Sequence, residues 1–279
     1  MHYSMTLPFT KMHGLSNDFV VINNLDRKFH FTSQLIQHMS HRKQGIGFDQ
    51  LLVLEPASHQ SANYDYRIFN NDGHEVEHCA NGARCIALYI REKNLLKKDS
   101  VCLNIKDRLL HVTVDGNNVT VNMGKPQINP QNIYYSEKCD SLEQTIELCG
   151  IKIPFYLISM GNPHAVILSS LQDNYDLQKL GELMNQGDYF PKGINVSIAI
   201  IHTPEKISLR VFERGAGITD ACGTAACAAM AIGKYLKKLQ PTIVAYQTGG
   251  PLSISWKNTE EDLMMSGSAV HVFDGHWTS

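Results

Sequence analysis

The chain has 279 residues, 43% of them apolar, which suffices for one large domain or two of ordinary size, each with its own core. A net charge of −2 without a long basic run argues against a general nucleic-acid or membrane-surface binder, and no apolar run reaches membrane-spanning length. Met1 to Thr6 lack a basic stretch leading into an apolar core, so a cytoplasmic chain is expected, and its seven cysteines are expected as free thiols.

The patterns alternate between strand and helix. Asp18 to Ile22 and Gln50 to Leu54 read as apolar strands, and Thr32-Ser33 can cap a helix running to about Arg42. Tyr64 to Phe69 alternates as a half-buried strand does. Leu109 to Val114 and Val119 to Met123 flank Asp115-Gly116-Asn117-Asn118, a hairpin signal. Gly124-Lys125-Pro126, with Pro130 after it, marks a boundary. Beyond it, Phe155 to Ser159 reads as a strand and Gly161-Asn162-Pro163-His164 as a turn. Ile194 to Ile201 and Ile207 to Phe212 read as strands, and a helix follows Cys222.

The two halves resemble each other. Arg67-Ile68-Phe69-Asn70 ends nine residues before Cys79, and Arg210-Val211-Phe212-Glu213 ends nine before Cys222. Cys79 and Cys222 stand 143 residues apart, as do Asn70 and Glu213. Asn17 and Asn162, and Gln50 and Asn195, stand 145 apart. Landmarks at nearly one offset indicate an internal duplication, and two such halves would bring two equivalent thiols to one central cleft.

Each of these cysteines opens a small-residue helix. After Cys79, apolar residues recur at helical spacing; after Cys222, Ala225 to Tyr235 is apolar almost all round, as in a buried helix. A thiol at a helix N-terminus meets unpaired N–H groups and the positive dipole end, so a lowered pKa is expected. The same N–H groups can bind a carboxylate. Two such thiols suit removal of an α-proton from one face of an amino acid and its return to the other. Their titrations would be coupled. Cys85 and Cys227, inside the helices, read as packing, and Cys102, Cys139 and Cys149 as small buried hydrophobes. The gaps of six and five residues between helix cysteines do not fit a structural zinc site.

His74-Glu75-Val76-Glu77-His78 matches the H-E-x-x-H zinc-peptidase pattern, which works only on a helix. Here it follows the turn-like Asn70-Asn71-Asp72-Gly73, so a polar strand or loop is the better expectation.

These residues resemble the diaminopimelate epimerase family. The matching segments run from Lys11 to Phe19, Gly45 to Gln50, Tyr66 to Gly73, Cys79 to Cys85, Ser159 to His164, Glu213 to Gly217 and Ala221 to Cys227, with Gly249-Gly250. The resemblance implies an α+β fold of two pseudo-symmetric domains, each a barrel-like mixed sheet around a central helix. The expected domains are 1–122 with 268–279, carrying Cys79, and 123–267, carrying Cys222. It implies interconversion of LL- and meso-2,6-diaminopimelate without pyridoxal phosphate, metal or other cofactor, in lysine and peptidoglycan synthesis, with domain closure over the substrate. Cys79 and Cys222 would be the acid/base thiols, assisted by His164 and Glu213. The amides of Ala80, Asn81, Gly223 and Thr224 would hold the reacting carboxylate. Asn17, Asn70, Asn162, Asn195, Glu213 and Arg214 would hold the amino-acid groups, with Gln50 lining the pocket. The partner is a small amino acid rather than nucleic acid or membrane, and the family pattern is a homodimer.

The chain departs from the family at Ser16, Ala80 and Ala225, where Gly is usual, and at Ile218, Asp220 and Phe273. If Ala80 required a positive φ it would cost about 1 kcal/mol. The alternatives are a racemase of the same fold acting on another amino acid such as histidine or proline, a binding protein that keeps the pocket without turnover, and the zinc peptidase of His74 and His78.

Overall fold

A computed structural model describes residues 6–76, 79–106, 108–128, 133, 141–170, 174–186 and 190–278. Pro130, Cys139 and His78, each given a reading above, lie outside the described residues. The chain divides into two compact units, Met1–Val121 with Gly267–Ser279, and Asn122–Ser266.

The first stretch carries β1 (Thr6–Gly14), β2 (Asn17–Asn23), α1 (Ser33–Ser40), β3 (Gln50–Pro56), β4 (Tyr64–Asn70) and β5 (Glu75–Val76). It continues with α2 (Ala80–Glu92), β6 (Ser100–Ile105), β7 (Arg108–Asp115) and β8 (Asn118–Asn122). The second carries β9 (Glu143–Leu148), β10 (Ile151–Ser159), β11 (Pro163–Ser169), α3 (Leu177–Asn185), β12 (Asn195–Thr203) and β13 (Lys206–Glu213). Then come β14 (Gly217–Thr219), α4 (Gly223–Tyr235), β15 (Thr242–Gln247), β16 (Gly250–Ser255) and β17 (Met264–Ser268). The C-terminal strand β18 (Val270–Thr278) pairs antiparallel with β1.

The wiring repeats. In the first unit β1–β2 is antiparallel, β2–β3 parallel, β3–β4 and β4–β5 antiparallel, and β4–β6 parallel. In the second, β10–β11, β11–β12, β12–β13, β13–β14 and β13–β15 follow the same sequence of directions. Each unit is therefore a mixed sheet around one helix, and the two share a topology, as the duplicated motifs implied.

The central helices explain the small residues. Ala80 to Ile90 in α2 and Gly223 to Gly233 in α4 are buried without interruption. A helix with no exposed face carries Ala and Gly where sheet side chains crowd it; a Cβ on Gly82 would come within 3.0 Å of Leu52 Cδ2. The outer helices cover the other face. Ile36 and Met39 of α1 pack on Val20, Leu51 and Phe69, while Leu180 and Met184 of α3 pack on Ile167, Val196 and Phe212. Thr32 caps α1 as expected, its hydroxyl accepting from Leu35 N at 3.2 Å.

Two expectations change. Pro163 and His164 lie on β11 rather than in a turn; Asn-Pro reads locally as a turn, but the parallel ladder to β12 overrides it. Cys149 is exposed, not buried, because it sits at the β9–β10 turn with φ 52°. The segment carrying the zinc-peptidase pattern is a strand at Glu75–Val76, as expected, and Glu75 is paired with Arg67 at 2.7 Å. Cys85 and Cys227 are fully buried and Cys102 nearly so, as expected.

The β1–β2 hairpin turns through Leu15 (φ 57°) and Ser16 (φ 67°), with Gly14 opposite Asn17. Two left-handed residues are what a two-residue hairpin with the correct twist requires, and non-glycine residues pay a steric penalty there. Replacing Ser16 with Gly is expected to raise the unfolding free energy by about 0.5–1 kcal/mol, after the extra unfolded-state entropy of Gly is deducted. An unchanged or lowered urea midpoint would contradict this account of the turn. Ala80 shows no such strain: it is the first residue of α2 and is absent from the positive-φ positions. Ala225 likewise lies in the first turn of α4, fully buried.

Candidate active site

In the first unit the expected residues gather at one end of the sheet. Asn17 opens β2, Gln50 opens β3 and Asn70 closes β4; the register sets Phe19 against Gln50 and Gln50 against Asn70. Gln50 Nε2 donates to Asn70 Oδ1 at 2.9 Å. Cys79 is the N-cap of α2, and Gly82 N–H donates to its sulfur at 3.3 Å. The Cys79 thiol lies 3.8 Å from Asn17 Oδ1. Asn17 Nδ2 in turn donates to Asp49 Oδ2 at 3.2 Å, which fixes the amide with its oxygen toward the thiol. Asp49 had no role in the sequence reading. Its place just before Gln50 was the available signal.

Asp49 belongs to a charged cluster. Arg42 bridges Asp18 and Asp49, each at 2.8 Å, and Lys11 also binds Asp18. Burial works against the Asp18 charge, but hydrogen bonds from Arg42 and Lys11 outweigh it and hold its carboxyl below the usual range. Beneath the helix start, fully buried Arg84 donates to Asn81 Oδ1 at 2.8 Å and to Ser268 O at 3.3 Å. That ties the Asn81 side chain inward and leaves its backbone amide at the helix end. The N–H groups of Ala80 and Asn81, like those of Gly223 and Thr224, lie in a first helical turn, where helix geometry supplies no intrahelical acceptor.

The second unit links its expected residues more tightly. Cys222 is the N-cap of α4 and is 5% exposed. Its thiol donates to Glu213 Oε2 at 3.1 Å and lies 3.4 Å from Thr224 Oγ1. Thr224 accepts from Asn162 Nδ2 at 3.4 Å, and Asn162 Oδ1 faces His164 Nε2 at 3.1 Å. His164 is fully buried and sits opposite Asn195 in the β11–β12 ladder. Asn195 donates to Pro163 O and accepts from the Arg214 amide at 3.0 Å. The chain His164–Asn162–Thr224–Cys222–Glu213 is thus continuous, with Asn162 and Thr224 standing between His164 and the thiol along it. Two residues absent from the sequence reading complete it. Thr219 donates to Glu213 Oε1 at 2.5 Å, and Gln247 accepts from the Cys222 amide at 2.8 Å.

Arg214 extends from the β13–β14 turn, its guanidinium donating to Lys192 O at 3.0 Å. Gly193 makes this possible: its φ is +71°, and a Cβ there would lie 2.7 Å from Arg214 Cδ. Arg214, Asn162, Ser159 and Lys192 line a cavity of about 240 Å³. That volume and donor set fit the polar end of an amino acid.

The ionisation of Cys222 departs from expectation. A helix N-terminus alone would lower its pKa, yet burial and then the Glu213 charge push it well above the ordinary thiol value. Hydrogen bonds from Thr224 and the Ala225 amide pull the other way and lose. Buried as this thiol is, its neutral, protonated form is the favoured one.

Burial also pushes the Cys85 thiol up to about 12. A thiol whose folded pKa exceeds its unfolded value stabilises fully below the unfolded value, and this contribution is lost as pH rises through the folded one. Unfolding free energy should therefore fall above about pH 9, by about 1.4 kcal/mol per pH unit for each such thiol. Urea unfolding at a series of pH values tests this with Cys85→Ala, whose slope above pH 9 should be shallower by about one proton. Equal slopes in variant and parent would contradict it.

Among the described residues no group of three His, Cys, Asp or Glu side chains gathers as a metal site. Among the same residues no helix is long and apolar enough to cross a membrane.

A sequence profile for diaminopimelate epimerase matches residues 9–129 and 156–272. The diaminopimelate epimerase of Teredinibacter turnerae is 41% identical over 272 residues, covering 97% of this chain and 99% of its own. That of Buchnera aphidicola subsp. Baizongia pistaciae is 41% identical over 280 residues, covering 99% and 98%. Among solved structures, a hydroxyproline epimerase from Agrobacterium vitis, with trans-4-hydroxy-L-proline bound, superposes with a TM-score of 0.72 at 12% identity, covering 100% of this chain and 94% of that one. At that identity the likeness speaks for the fold alone. The sequence matches go further, covering nearly all of this chain and of both relatives: the chain belongs to the diaminopimelate epimerase family.

Proposed function

We propose that this protein is a cofactor-independent isomerase that interconverts LL- and meso-2,6-diaminopimelate, a step that feeds lysine and peptidoglycan synthesis. The observation that carries the reading is that each unit sets a thiol at the N-cap of its buried central helix, Cys79 in one and Cys222 in the other. One thiol, as thiolate, removes the α-proton, and the other gives a proton to the opposite face of the carbon. The carbanionic charge spreads into the adjacent carboxylate. The helix-end amides of Ala80, Asn81, Gly223 and Thr224 are the donors that stabilise it. Glu213 holds the Cys222 proton until transfer, and His164 supports the Asn162–Thr224 side of the same thiol.

The second amino-acid end explains the remaining polar groups. Arg214 offers a planar fork to a carboxylate, and Asn17, Asn70, Asn162 and Asn195 offer amide oxygens and N–H groups, with Gln50 beside them. A proline or histidine racemase has no use for a second carboxylate. The same reading takes the enzyme as a cytoplasmic homodimer.

The test is chiral chromatography of reaction mixtures containing LL-diaminopimelate, L-proline or L-histidine. Conversion of diaminopimelate alone supports the reading. Turnover of proline or histidine in its place contradicts it.

A further inference from the structure

We propose that Thr219 is a positioning residue for the Cys222–Glu213 pair, anchoring one carboxylate oxygen so that the other stays aimed at the thiol. The proposal rests on the reading of Cys222 as an acid/base thiol. Glu213 has three rotatable side-chain bonds, and a single weak contact to a thiol would leave it several orientations. Its two oxygens are instead engaged separately: Oε1 accepts from Thr219 Oγ1 at 2.5 Å, and Oε2 accepts from Cys222 Sγ at 3.1 Å.

The hairpin geometry brings the two side chains together. In the β13–β14 ladder Glu213 faces Gly217 and Val211 faces Thr219, so Thr219 is the diagonal neighbour of Glu213 on the same face. Gly215 and Gly217, at φ +80° and +81°, take the left-handed backbone that closes so short a turn. Thr219 is β-branched, so its χ1 is stiff and the hydroxyl direction is set by the strand. The residue lies three positions before Cys222 but has no hydrogen bond to the sulfur; it acts through the carboxylate.

Thr219→Val keeps the shape and removes the donor, and Thr219→Ser keeps the donor. The measurements are kcat and KM on LL-diaminopimelate, melting temperature, and the rate of Cys222 alkylation by iodoacetamide, read by mass spectrometry on the Cys222 peptide. Thr219→Val is expected to lower kcat by about tenfold or more, as a small misplacement of a catalytic group does, with KM within about twofold. Cys222 alkylation should rise several-fold, because a loosened carboxylate no longer holds the proton on the sulfur. Thr219→Ser should restore both. A Thr219→Val enzyme with kcat and alkylation rate like the parent overturns the proposal. So does a Thr219→Ser enzyme as slow as the Val variant, or a kcat loss that tracks a lowered melting temperature with alkylation unchanged. If the parent protein fails to epimerise diaminopimelate, the reading of function falls, while the alkylation comparison still decides the role of Thr219.

Discussion

Alanine at Cys222 is expected to lower epimerisation by about 10²–10⁴-fold, the scale of a lost general acid/base group. The thiol is 5% exposed and its proton is directed at Glu213, so no nearby solvent can substitute for it. Cys79→Ala should be equally damaging, because inversion needs a base on one face and an acid on the other. The two variants should differ from a merely unfolded protein in one respect. The remaining thiol can still take and return a proton on its own face, so slow exchange without inversion can persist. Melting temperatures near that of the parent, with epimerisation lost, are the expected pattern. Activity within tenfold of the parent in either variant would remove the two-thiol mechanism.

The second large effect is expected at Arg214. Its amide is fixed by Asn195 Oδ1 and its guanidinium by Lys192 O, at the wall of the cavity beside Asn162. If it receives the distal carboxylate, Arg214→Met should cost about 10²–10³ in kcat/KM, carried mainly by KM, since a buried charged partner is left unpaired. Arg214→Lys should recover only part of this, because an ammonium cannot reproduce the bidentate fork. Steady-state kinetics on the three proteins checks it. A Met variant with an unchanged KM would mean that the second carboxylate is held elsewhere.

Much of this architecture was legible in the chain because its signals are local. Thr32 caps α1, the hairpin at Asp115 to Asn118 closes as its Gly and Asn residues require, and the two cysteines cap small-residue helices. Equal spacing between halves translated into equal strand order. What local reasoning missed depends on partners distant in the chain. β1 contains Pro8 and the charged Lys11 and shows no clean alternation, yet it is held by β2 on one side and β18 on the other. α3 is only nine residues long and takes its place from packing on β12 and β13. Helix-end reasoning also misjudged Cys222, because the burial and the carboxylate that raise its pKa come from the surrounding sheet and from β13. Thr219 became visible only with the register that sets it diagonal to Glu213, and the role of Asp49 only with its hydrogen bond to Asn17. The exposed Ile218 and Phe273 are placed by the fold, but nothing in the structure explains their departure from the family pattern.

The most direct test of the central claim is proton NMR of LL-diaminopimelate incubated with the reduced protein in D₂O, followed from the earliest times. Two thiols acting on opposite faces predict that newly formed meso-diaminopimelate carries deuterium at the inverted carbon. The LL-diaminopimelate still present should retain its α-proton at that stage. Equal early deuteration of substrate and product, or the absence of both inversion and exchange, would contradict it.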